Sequence, residues 1–296
     1  MKKRLVLLPT FMIVFFSLAT GIRAQDSLKK FSLKFNGGLS TVVIGDYNTF
    51  IDAQDSYFKT YAVALGITKE GELKRINVGM EFEGEIIMDL TENFGIGVGA
   101  GYIQISKDNE TSLKQELLGE VTYFDGPKFT AIPANLSLYY FYPVASSMNL
   151  VLNGGVGYYF GKATSSSRLD YELIGELSEW AKSEGEFKDQ GLGFHGGIGL
   201  EFMIGSNIGL FVEGKGRYCK LKSWEGDNIN TDSDGFTEKN SGTLWLVEEL
   251  DPDTDVWFYQ IKLAEQEPSD PNIRNVRKFE GDLSGFSIRA GIRIKF

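Results

Sequence analysis

Glu81, Glu83 and Glu85 occupy every second position of the stretch MEFEGEIIMDL, and Asp89 extends the row. Glu213, Lys215 and Arg217 repeat that spacing, as do Arg289, Arg293 and Lys295 around two smaller residues near the C-terminus. Lys34 and Glu201 stand on further segments of the same kind. Spacing by two sets these side chains on one face of a strand, with the apolar residues between them on the other. Six acids and six bases on inward faces can neutralise one another as a salt-bridged filling, or they can line a narrow polar path. An unpaired charge withdrawn from water costs many kcal/mol, so in either case pairing or hydration is required.

Other chemistry-bearing patterns are local. NTDSDGFTEKNS, residues 230–241, places Asn230, Asp232 and Asp234 alternately before Gly235, with Glu238 four residues on from Asp234. It resembles a D-x-D-x-D-G calcium loop, in which alternate oxygens surround the ion and glycine permits the turn. Ser241 takes the twelfth position in place of the bidentate glutamate. The pattern therefore reads as a weak Ca2+ site or as an acidic, solvated loop tip. His195 is the single histidine and has no recognisable serine motif nearby. An interior hydrogen-bonded role suits it better than catalysis, so no enzyme is expected. The glycines of GIGVGAG (95–101) recur every second residue with no helix pattern after them, unlike a dinucleotide fingerprint. Gly161–Lys162 lacks the Ser or Thr of a phosphate loop.

The elements that must position these residues are strands. Alternation of apolar with polar or glycine residues covers 31–43, 75–90, 94–106, 129–142, 149–161, 191–204, 206–221 and 284–296. Short turns fall at 91–93, 143–148 and 205–207, while long connections fall at 45–74, 107–127, 162–190 and 222–282. An even number of strands, with short turns at one end and long loops at the other, predicts an all-β, closed antiparallel transmembrane barrel with periplasmic turns and extracellular loops. Closure pairs every backbone group within the lipid. Eight strands is the direct reading. Residues 243–263 also read as two strands about a proline–aspartate turn, either a projecting hairpin or part of a ten-stranded barrel. Pro133 predicts a bulge or a strand end. The third long connection has Leu173, Leu177 and Trp180 spaced for a short helix across the mouth. The fourth is rich in aromatics, namely Trp224, Trp245, Trp257, Phe258 and Tyr259. Exposed aromatics of this kind contact a partner, a lipid surface or one another.

The N-terminus reads as a secretory signal peptide over residues 1–24, with Lys2, Lys3 and Arg4 ahead of an apolar run and Ala24 before Gln25. The barrel domain then spans 25–296. Loss of four basic residues leaves 26 against 40 acidic ones, a charge of −14, which argues against a nucleic-acid partner. Cys219 is the only cysteine, so no intramolecular disulfide forms.

The final strand SGFSIRAGIRIKF and the stretch IPANLSLYYFYP resemble the bacterial outer-membrane protein beta-barrel domain family, small barrels similar to the OmpA transmembrane domain and OmpW. The resemblance implies residence in the outer membrane with lipid around the wall. It also implies that Ile292, Ile294 and Phe296 carry the signal read by the barrel-assembly machinery. Functionally it implies porin-like passage of small hydrophobic or polar solutes. The alternative is an anchor whose acidic, aromatic-rich loops serve adhesion or recognition of an extracellular ligand.

Overall fold

The computed structural model describes residues 31–115, 119–173, 178–252 and 254–296, so the signal-peptide reading over 1–24 lies outside the described residues. Sixteen strands, numbered β1 to β16 in chain order, and one helix, α1, make up this part. Strand β1 (Phe31–Val42) pairs antiparallel with β3 (Val78–Asp89), and β3 with β4 (Phe94–Ser106). The pairing continues through β7 (Lys128–Ala145), β8 (Met148–Leu173), β9 (Glu179–Ile204), β10 (Ile208–Leu221) and β16 (Gly285–Lys295). Strand β16 pairs in turn with β1, from Ser32↔Lys295 to Val42↔Gly285, so the path returns to its starting strand. Along β1 the polar Ser32, Lys34, Asn36 and Ser40 are buried, while Phe35 and Leu39 are exposed. This is the inverse of a soluble sheet, and it recurs on the other strands of the path.

Pro133 sits inside β7, paired with Tyr159 of β8, and neither bulges nor ends the strand. On its other side the ladder to β4 holds at Ala100↔Ala134 and Ile103↔Ala131, with no pairs between. The missing N–H is thus absorbed as a local gap. Gly101 makes room for the ring, since a Cβ there would lie 3.1 Å from Pro133 Cγ.

Strands β8 and β9 each run for 26 residues. Their upper halves pair with each other, so the expected helix over 170–186 is replaced by strand at 170–173 and 179–186; Leu173 and Leu177 lie outside the residues whose side chains are described. Pairing with neighbouring strands on both sides outweighs the short helical period. On one side this extension recruits β6 (Gly119–Asp125), β5 (Asn109–Gln115) and β2 (Thr68–Gly71). On the other it recruits β11 (Glu225–Asp232), β12 (Thr237–Asp251) and β13 (Val256–Ala264). Strands β12 and β13 form the expected hairpin, and β14 (Ile273–Lys278) adds to β12. The short β15 (Gly281–Asp282) pairs with the top of β10.

Helix α1 (Gly45–Leu65) occupies most of the first long connection, which sequence reading left without an element. Ile44, Tyr47 and Ile51 are buried at helical spacing, and Gly66, at φ 63°, ends the helix in the left-handed conformation. The helix touches both ends of the sheet extension. Asp55 pairs with Lys69 of β2 at 2.8 Å, and Tyr57 stacks on Phe258 of β13 with ring centroids 4.6 Å apart. Arg277 of β14 donates to Asp46 at 2.6 Å.

Beneath α1 lies the main apolar core, built from Val42, Tyr47, Ile51, Ile105, Phe129, Tyr159, Phe187, Leu221, Trp224, Phe279 and their neighbours. Trp224 is fully buried at its centre and donates through Nε1 to the Leu221 carbonyl at 3.2 Å. Trp245 is buried as well, outside this cluster, and donates through Nε1 to the Ala264 carbonyl at 3.3 Å.

Tyr47 donates its hydroxyl to the buried Asp125 at the foot of α1. Burial pushes the Asp125 carboxyl up to about 6, which the Tyr47 hydrogen bond only partly offsets. A carboxyl raised in the docked state favours docking as pH falls through that value towards the ordinary carboxylate range, and weakens it above. Protection factors of the α1 amides, corrected for the intrinsic pH dependence of exchange, are expected to be higher at pH 5 than at pH 7.5. Asp125→Asn should abolish that difference by raising protection at pH 7.5.

Candidate functional site

The inward faces of the pairing path bring the alternating charges together. Glu81, Glu83 and Glu85 project from β3, Lys34 from β1, Glu213, Lys215 and Arg217 from β10, Glu201 from β9, and Arg289 and Arg293 from β16. Every one of these ten residues is buried. Arg289, only 2% exposed, is the hub: its guanidinium lies 3.0 Å from Glu213, 3.3 Å from Glu83 and 3.4 Å from Glu81. Each of those carboxylates also has a cation of its own. Lys34 reaches Glu213 at 2.6 Å, Lys215 reaches Glu83 at 2.7 Å and Arg217 reaches Glu81 at 2.8 Å. Lower down, Arg293 bridges Asp89 at 2.9 Å and Glu201 at 3.5 Å, and Lys295 lies 3.9 Å from Glu201. Glu85 accepts from the Tyr139 hydroxyl.

Of the two readings open in the sequence, this geometry is the filled one. The inward glycines do not hold space for solute. A Cβ at Gly197 would lie 2.5 Å from the Glu213 carboxylate, one at Gly209 2.7 Å from that of Glu201, and one at Gly97 would strike Glu85. Glycine on one strand is what admits the long acid from the next. Below the charges, Ile87, Tyr139, Phe141 and Val151 form a second apolar cluster, and Arg293 lies 4.0 Å over the Phe141 ring. The cavity among Lys34, Tyr139, Glu201, Phe211 and Arg293 measures about 20 Å³, room for a single water molecule. The bore thus has an apolar layer above, an ionic layer at mid-height and an aromatic layer below.

His195 lies in this wall, as its alternation phase required, with Nε2 3.1 Å from Ser137 Oγ. Among the described residues its Nδ1 has no hydrogen-bond partner, so no third group orients the pair as a general base. The expected calcium residues lie elsewhere, on the β11–β12 hairpin. Asn230 pairs across it with Glu238, and Asp232 Oδ1 accepts the N–H groups of Asp234 and Phe236, closing the turn on itself. Among the described residues, no three His, Cys, Asp or Glu side chains converge as metal ligands. Ile292 and Phe296 are outward and exposed, Ile294 is partly so, and the Phe296 N–H donates to the Phe31 carbonyl at 2.9 Å.

A sheet with buried ion pairs inside, an apolar outer belt and long connections at one end is a β-barrel of the outer-membrane kind. The model of the outer membrane protein beta-barrel domain family matches residues 12–237, most of the chain, and the chain belongs to that family. Its place is therefore the bacterial outer membrane. No curated protein sequence matches the chain. Among solved structures it is similar to a major outer membrane protein from Thermus thermophilus, at 12% identity and TM-score 0.38, covering 90% of this chain and 98% of that one. It is also similar to OprG from Pseudomonas aeruginosa, at 11% identity and TM-score 0.37, covering 91% and 99%. The outer membrane protease OmpT from Escherichia coli shares 8% identity at TM-score 0.27, covering 93% and 99%.

Removing one partner of a buried ion network leaves the remaining charges uncompensated, at a cost of about 3–5 kcal/mol. Arg289→Met should destabilise the refolded protein by that order in urea titrations followed by heat-modifiable gel mobility. Lys239→Met breaks the exposed pair with Asp227 and should leave the titration midpoint unchanged.

Proposed function

We propose that this protein is a non-conducting anchor: a membrane wall of eight strands, β1, β3, β4, β7, β8, β9, β10 and β16, that carries a β-sheet recognition domain at the cell surface. The observation that carries this reading is the three-layered filling of the bore. The porin-like reading needs a continuous polar path, and each of its candidate lining charges is already held by a partner from another strand. Opening such a path would require undocking α1 and withdrawing Trp224, as well as parting the ion pairs.

The outer belt of apolar residues is matched to lipid, and the elements beyond it, α1 with β2, β5, β6 and β11–β14, form the part available to partners. The incomplete His195–Ser137 pair, buried within the wall, supports a role without catalysis. In planar bilayers the purified protein should give no discrete conductance steps, and Glu83→Gln should remain equally silent. Steps in the wild type that change with Glu83→Gln would overturn the anchor in favour of a pore.

A further inference from the structure

Further along β8 and β9 than Ala163 and Phe187 of the apolar core, the inner face of the sheet extension changes character. Ser167 of β8, Ser183 of β9 and Asn230 of β11 stand in one cross-strand row, through the pairs Ser167↔Ser183 and Ser183↔Asn230. Tyr123, Leu169, Ala181 and Asp232 form the next row. Together with Phe236 from the hairpin turn they line a cup of about 250 Å³. At about 30 Å³ per water that is room for roughly eight waters, enough for a single sugar ring.

The charged residues that line the cup are already engaged. Arg168 bonds Asp170 at 2.6 Å and lies 5.2 Å over the Trp180 ring, Lys182 pairs with Glu184 at 2.9 Å, and Asp232 Oδ1 accepts two backbone N–H groups of the turn. The uncommitted groups are hydroxyl and amide. Asn228 donates to Ser183 Oγ and to Asn230 Oδ1, both at 2.9 Å, which fixes the Asn230 carboxamide and leaves its NH2 as a donor. Among the described residues, no hydrogen bond engages the Ser167 hydroxyl, while the Tyr123 hydroxyl is buried near Asp125 and the residue packs against the main core. Tyr123 is held from behind by Phe58 of α1, ring centroids 5.6 Å apart, and Phe236 presents its ring 62% exposed. Exposed aromatic surface beside fixed, uncharged donors and acceptors suits a ligand with both C–H faces and hydroxyls.

We propose that this cup binds a neutral saccharide unit, an inference that rests on the recognition reading above. A peptide added as a strand is excluded there, because β6, β8, β9 and β11 each have both edges already paired. The sugar has two sources, the producing cell's own envelope polysaccharide or a foreign glycan.

Full-chain protein in a sugar-free detergent is titrated with maltotriose, N-acetylchitotriose and, as an anionic comparison, sialyllactose, followed by saturation-transfer NMR and calorimetry. At least one neutral trisaccharide should bind saturably. Asn230→Ala and Ser167→Val should each weaken it about tenfold, as loss of one of the cup's few free hydrogen-bonding groups implies. Ile229→Ser, on the opposite face of the same strand, should leave binding unchanged, with gel mobility showing that every variant is folded. Competition by polysaccharide released from the producing cell's envelope identifies a self ligand, and its absence a foreign one; either outcome supports the cup. Failure of both neutral probes, indifference to Asn230→Ala and Ser167→Val, or preference for sialyllactose lost in Arg168→Ala would overturn the proposal. Failure of the neutral probes would leave the conductance result, and with it the anchor reading, untouched.

Discussion

Arg289 and the three carboxylates around it set the terms for the rest of the wall. A guanidinium so deeply buried persists only when opposite charge surrounds it. Its partners come from β3 and β10, and the contact of Lys34 with Glu213 joins residues 179 positions apart in the chain. No local segment can make these pairs, so the network forms only when β16 meets β1 and the pairing path returns to itself. The same demand accounts for the inward glycines, which give the long acids their room.

Above the ionic layer a different problem is solved by different means. The extended β8 and β9 draw in extra strands until the sheet has two free ends, at β13 and β2. Exposed sheet ends invite unwanted pairing. Helix α1 contacts both, through Tyr57 on Phe258 and Asp55 on Lys69, and turns its buried edge onto the Trp224 core. One helix therefore seals the mouth, closes the upper core and leaves the remaining inner face of the sheet as a polar cup. The sealed bore and the accessible upper sheet are consequences of the same docking.

Much of the wall is legible in the sequence. The alternating segments fall on strands of the pairing path, with β8 and β9 each running twelve residues beyond the alternation that marks them, and Lys34, Glu81, Glu83, Glu85, Glu213 and Arg289 are buried. The 243–263 hairpin was legible from its turn chemistry. Helix α1 was overlooked although Ile44, Tyr47 and Ile51 carry helical spacing, because polar residues such as Asn48 and Asp55 share its buried side and blur the stripe. The extension of β8 and β9 was hidden for a similar reason: its serines and glycines alternate weakly, so 162–190 read as a loop. Trp224 and Trp245 looked like surface aromatics because their burial comes from strands and a helix far away in sequence.

By itself the sequence determined which face of each strand is apolar, because a two-residue period transmits side-chain direction without reference to any neighbour. It determined the balance of inward charge on the same ground. Only the tertiary structure decided whether those charges would flank a path or cancel across it. That choice depends on the distance between strands remote in the chain, on which glycines receive which carboxylates, and on the helix that settles over the mouth.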